Sequence, residues 1–134
     1  MTEIKKNTKK IGDFGEKLAQ QYLIEHNFTI IETNYWRKWG EIDVIAADTD
    51  GITHFVEVKT VSYETKGKLE YAITSDSWRP EEQVTDRKLH QIHKAVKTWI
   101  SENEYMGDFM IDVLAIQMVP SETYASVNYI ENVT

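Results

Sequence analysis

The chain has 134 residues, 41% hydrophobic and 28% charged, which suits one globular domain with an ordinary core and excludes a largely disordered chain. It contains no cysteine, so a disulfide framework and a thiolate metal site are excluded, and a reducing, cytoplasmic setting is expected. The formal charge of −7 excludes a uniformly basic polyanion binder, and no apolar run reaches the ~18 residues of a membrane span.

Residues 1–10 carry Lys5, Lys6, Lys9 and Lys10 against Glu3, a local +3 that leaves −10 on the remaining 124 residues. They lack the apolar stretch of a secretory signal and read as a flexible lysine-rich arm able to meet phosphates. From Asp13 to about His26, Phe14, Leu18, Tyr22 and Leu23 recur at helical spacing, and Asp13 is placed to cap that helix. Phe28–Tyr35, Glu41–Ala47 and Ile52–Val61 then read as three strands, rich in β-branched and aromatic residues. Asp48-Thr49-Asp50-Gly51 has the chemistry of a tight turn, so the second and third strands should pair antiparallel.

Residues 62–84 show no persistent period, apart from an expected short strand near Leu69–Ile73. Leu89, Ile92, Val96, Trp99 and Ile100 mark a helix from about Thr85 to Glu104 with one buried face. Phe109–Val119 is almost wholly apolar, as in a central strand covered on both faces. The order helix, three strands, helix, strand predicts an α/β sandwich with a mixed sheet in a single domain.

On the third strand, side-chain alternation places Glu57 and Lys59 on one face. A hairpin centred on residues 48–51 pairs positions whose numbers sum to about 100, which sets Asp43 opposite Glu57 at roughly 5 Å between Cβ atoms. Two adjacent carboxylates repel each other, whereas a hard divalent cation such as Mg²⁺ or Mn²⁺ asks for oxygen ligands so placed. A lysine beside them suits the orientation of water and the stabilisation of charge on a phosphate, so phosphodiester hydrolysis is the expected reaction. Glu16 falls at the edge of the first helix's apolar face and is a further ligand candidate; its spacing from Asp13 also fits a capping box.

Gly15-Glu16 with Ala19 and Tyr22-Leu23, Asn34, GEIDVIA at 40–46, FVEVK at 55–59, Arg87-Lys88 and IDV at 111–113 together resemble the YraN-like family of predicted endonucleases. That family is similar to the archaeal Holliday-junction resolvases. The resemblance implies a restriction-endonuclease-like fold of the PD-(D/E)xK superfamily, with Glu16, Asp43, Glu57 and Lys59 at the active centre. It further implies branched or repair-intermediate DNA as substrate and a homodimer, since cutting a four-way junction symmetrically takes two active centres. Val61 and Met110 stand where the family carries basic residues. With the acidic net charge, they favour the alternative of a non-catalytic nucleic-acid or protein interaction module on a vestigial nuclease scaffold; an RNA nuclease is a third reading.

Trp36-Arg37-Lys38-Trp39 interleaves aromatic and basic residues, a composition that stacks bases and holds phosphates, although its tryptophans are expected to cover the core edge. Arg37, Lys38, Arg87 and Lys88 join the N-terminal lysines as candidate DNA contacts. Asp86, His90 and His93 have a spacing that suits zinc, but His93 shares the helix's apolar face. His26 and His54 have no evident partner in the sequence.

Overall fold

The computed structural model describes residues 3–75 and 84–133, with side chains from Lys10 onward. Among these residues the chain forms α1 (Glu3–Glu25), β1 (Thr29–Arg37), β2 (Gly40–Ala47), β3 (Thr53–Ser62), α2 (Lys66–Thr74), α3 (Asp86–Glu102), β4 (Phe109–Val119) and β5 (Tyr124–Ile130), with a 3₁₀ turn at Pro120–Glu122 before β5. The five strands make one mixed sheet in the order β1-β2-β3-β4-β5. β3 and β4 run parallel and the other neighbours antiparallel, so the α2–α3 segment is the crossover that a parallel pair requires.

Hydrophobic patterning explains the layers. Ala19 and Leu23 of α1 pack on Val44, Ala46, Val56, Leu114, Ile116 and Met118, which alternation puts on one face of the sheet. Ile92, Ala95, Val96 and Trp99 of α3 pack on Tyr35, Ile42, Ile45, Phe55 and Ile111 on the other. β4 is covered on both faces, in accord with its unbroken apolar run. β2 and β3 pair through Val44↔Val56, Ile45↔Phe55, Ala46↔His54 and Ala47↔Thr53, the register expected from a turn at 48–51. Asp48 closes that turn by accepting from the Asp50 and Ile52 N–H groups at 2.8 and 3.0 Å.

Several expectations need correction. α1 begins ten residues before Asp13, so Asp13 is an interior residue rather than a cap, and residues 3–10 of the lysine-rich segment are helical. The lysines there are good helix formers, and the longer helix carries Ile11 onto the core. Phe14, expected on the buried stripe, is 52% exposed. Leu69–Ile73 is helical: Thr65 caps α2 by accepting from the Lys68 N–H, and Leu69 is its single buried anchor, too little to leave a period in the sequence. β5, absent from the sequence reading, pairs with β4 after a turn that places Thr123 in the left-handed region.

Two glycines bring the helices close to the sheet. A Cβ at Gly15 would stand 2.0 Å from the Thr60 hydroxyl oxygen of β3, and one at Gly40 would stand 2.3 Å from the Gln91 carbonyl oxygen of α3. Each therefore permits a contact that a side chain would block. Each also lies next to a residue of the acidic cluster described below.

Candidate functional site

The ladder between β2 and β3 has Val44↔Val56 as its last pair, and the strands separate beyond it. Asp43 enters the gap, and its carboxylate accepts from the Val58 N–H at 2.8 Å, so a side chain takes a backbone donor of the separating strand. Glu57 lies beside it, close enough for each carboxyl group to shift the other's protonation. A cavity of about 350 Å³ opens there, lined by Glu16, Asp43, Glu57, Lys59 and Thr60 together with Ile11 of α1. Alternation along β3 puts Glu57 and Lys59 on the α3 side of the sheet, whereas β2 departs from strict alternation at Asp43, since Ile42 and Ile45 both pack on the α3 side; Glu16 lines the same cavity from α1.

The electrostatics are those of carboxylates withdrawn from water beside one another. Burial pushes Glu57 up to about 8, the Asp43 charge adds to this, and Lys88, 3.6 Å away, offsets part of it. Asp43 is also raised by burial, against the lowering effect of the Val58 N–H, Glu57 and Lys88. Both carboxyl groups are thus held toward their protonated forms, chiefly by burial. Glu16 is raised by burial and then by the charges of Asp43, Glu41 and Asp13. Because α1 already runs through Asp13, the capping-box account of Glu16 does not apply.

The structure thus gathers Glu16, Asp43, Glu57 and Lys59 around one cavity, and adds Lys88 from the first turn of α3. Thr85 fixes that turn by accepting from the Lys88 N–H at 3.1 Å, a cap readable in the sequence, although the reach to Glu57 was not. Among the described residues no cluster of three or more histidine or acidic donors suited to an ion is formed. What the chain offers a cation is the Asp43–Glu57 pair, and Mg²⁺ is commonly held by one or two carboxylates with water and phosphate oxygens completing the shell. Two adjacent carboxylates withdrawn from water fit that donor set, because a cation would offset the charge that burial disfavours.

The other candidates are scattered. Arg37 is engaged by Glu102 through two 2.8 Å contacts and lies 4.2 Å over the Tyr35 ring, so its guanidinium is neutralised within the fold. Lys10, Lys38 and Arg87 are exposed, and the side chains of Lys5, Lys6 and Lys9 lie outside the described residues. Trp36 and Trp39 do not cover the core edge: they are 64% and 45% exposed. His54 does have partners. Its Nδ1 meets Asp112 at 2.5 Å and its Nε2 meets Asp48 at 2.8 Å, while the Tyr129 hydroxyl also donates to Asp112. Only the fold brings strand, turn and β5 together there.

A five-stranded mixed sheet with helices on both faces and an acidic, lysine-bearing cavity where two strands separate defines an α/β domain with a candidate catalytic end. The chain belongs to the uncharacterised protein family UPF0102, the YraN-like family, whose family model matches residues 15–116 and so spans all four cavity residues of the sequence motif. A UPF0102 protein of Trichlorobacter lovleyi is 37% identical over 117 residues, 87% of this chain and 84% of that one. One from Clostridium acetobutylicum is 34% identical over 125 residues, 92% and 93% of the two chains. One from Campylobacter fetus is 31% identical over 123 residues, 92% of each.

Proposed function

We propose that this chain is a divalent-metal-dependent endonuclease that hydrolyses DNA phosphodiester bonds, with branched or repair-intermediate DNA as its substrate class. The observation that carries this reading is the buried Asp43–Glu57 pair in a cavity shared with Lys59 and Glu16. Asp43 and Glu57 would hold the cation, which when bound supplies Lewis-acid stabilisation of phosphate charge and acidifies nearby water. In the net reaction a water oxygen bonds to phosphorus and the bond from phosphorus to one sugar oxygen breaks, leaving a phosphomonoester and a hydroxyl.

The chain's own residues do the rest. The Val58 N–H fixes the Asp43 carboxylate, so one side of the donor pair is oriented before any substrate arrives. Lys59 presents a positive charge to the same cavity, where it orients water and stabilises negative charge as it builds on the phosphate. Glu16 reaches the cavity from the opposite face and is placed to accept a hydrogen bond from that water. Lys88, 3.6 Å from Glu57, offsets part of the upward shift that burial gives this carboxyl.

A cleavage assay on linear, flapped, four-way and single-stranded DNA with Mg²⁺ or Mn²⁺ tests the proposal. The parent should cut at least one of these, and Lys59→Ala should slow cutting by a factor on the order of 10²–10³ while leaving the melting temperature nearly unchanged. Absence of cutting on every substrate, with DNA binding retained, would favour the non-catalytic module instead.

A further inference from the structure

The turn joining β1 to β2 lies at the end of the sheet where β3 carries Glu57 and Lys59. Trp36 and Trp39 flank it with 64% and 45% of their surfaces exposed. Trp39 is held in place: its indole N–H donates to the Thr98 hydroxyl of α3 at 3.0 Å, and exposed Lys94 and Lys97 line the hollow beside it. A second depression, of about 210 Å³, is lined by Trp36, Arg37, Lys38, Trp39 and Lys88, with Glu41 as its one acid. Lys88 belongs to both places, since its ammonium is also 3.6 Å from Glu57.

We infer that this face is a base-stacking subsite for unpaired nucleotides of the nucleic acid whose phosphodiester occupies the neighbouring cavity. The inference rests on the nuclease reading above and narrows its substrate class to nucleic acid with single-stranded character at the cut. Exposed indoles offer flat π faces that bases of any sequence can use, and only bases released from a duplex have a face free to meet them. The charge agrees. Lys38, Lys94 and Lys97 form a local basic surface on a chain of net charge −7, and Arg37 of the same turn is already neutralised by Glu102. A protein docking on the tryptophans would have to desolvate those ammonium groups or match each with an acid, whereas a phosphate backbone meets them as it passes. The shared Lys88 sets the direction of the strand, from the stacked bases toward the carboxylate pair.

The test is binding by the full chain in EDTA, which separates recognition from cleavage. Fluorescently labelled single-stranded oligothymidine, a flapped duplex and a blunt duplex are titrated while anisotropy is recorded. The single-stranded and flapped probes should bind tighter than the blunt duplex. Trp36→Ala should weaken both by about tenfold or more and leave the duplex within about twofold, while Trp36→Phe should restore most of the loss. Lys94→Ala with Lys97→Ala should weaken all three alike and flatten the salt dependence. The subsite is overturned if Trp36→Ala holds single strands as tightly as the parent, or if the parent prefers the blunt duplex. Failure to bind any probe at low salt also overturns it and leaves the face to a protein partner. Loss of the subsite with Mg²⁺-dependent cutting intact leaves the nuclease reading standing; an intact subsite with no cutting removes only that reading.

Discussion

At the scale of single residues, the chemistry of the cavity is set by burial acting on carboxylates that stand too close together. Glu57 is raised from 4.5 to about 8 in the folded chain. A carboxyl group with a folded pKa above its unfolded one binds more protons folded than unfolded. Its contribution to stability is therefore present below about 4.5 and lost as pH rises through about 8, and Asp43, also raised, works in the same direction. A cation held by the two carboxylates should reverse this loss. Thermal melts at matched ionic strength should show a stabilising increment from 10 mM Mg²⁺ that grows between pH 6 and 8.5, roughly 3–6 °C if the dissociation constant is on the order of 1 mM. Asp43→Asn and Glu57→Gln should lose most of it, and without cation they should melt no lower than the parent at pH 8.5. An increment of equal size in all three proteins would remove the carboxylate pair as a metal centre.

At the scale of elements, the site depends on two helices resting unusually close to the sheet. Gly40 opens β2 under the backbone of α3, with 2.3 Å between an added Cβ and the Gln91 carbonyl oxygen. A backbone atom cannot swing aside, so Gly40→Ala must shift α3, and with it Lys88, away from Glu57. The expected cost is about 1–3 kcal/mol, read as a melting temperature lower by on the order of 10 °C. Gly15→Ala meets the Thr60 side chain, which can relax, so it should cost less. Equal, negligible losses in both variants would show that neither approach matters. The helical spacing of α3 is plain in the sequence because Ile92, Val96 and Trp99 all face the core, whereas α2 buries a single residue, Leu69, and leaves no helical period to read.

At the scale of the whole molecule, a second polar cluster ties distant parts of the chain together. His54 of β3 lies between Asp48 of the β2–β3 turn and Asp112 of β4, and Asp112 also receives the Tyr129 hydroxyl of β5 and the Asn132 N–H at 2.9 Å. Burial by itself would depress the imidazole, but hydrogen bonds and charge from Asp112 and Asp48 push it up to about 9. With a folded pKa above the unfolded 6.5, His54 contributes stability that is full below 6.5 and fades as pH rises through about 9. Asp48 is lowered: burial acts against this, and the His54, Ile52 and Asp50 hydrogen bonds outweigh it. Its contribution is therefore present above the unfolded value of 3.8 and lost as pH falls through its folded one. Chemical denaturation across pH should show this high-pH decline, and His54→Leu should abolish the His54 part of it. That variant should also lose about 3–5 kcal/mol near pH 7, because Asp112 would stay buried without its cation. A loss under 1 kcal/mol would show that the cluster is not ionic.

What the sequence determined by itself was whatever depends on local period and short loops. Alternation along FVEVK puts Glu57 and Lys59 on one face, and the Asp48–Gly51 turn is tight enough to fix the register up to Val44↔Val56, one step short of Asp43 and Glu57. Those two facts made the candidate site readable before any fold was known. The tertiary structure decided what depends on contacts between residues far apart in the chain. It brought Lys88 onto Glu57, drew His54 into the Asp48–Asp112–Tyr129 cluster, turned the two tryptophans outward and engaged Arg37 with Glu102. None of these has a sequence period, because the partners are joined by strand pairing and by the packing of α3 on the sheet and not by spacing along the chain.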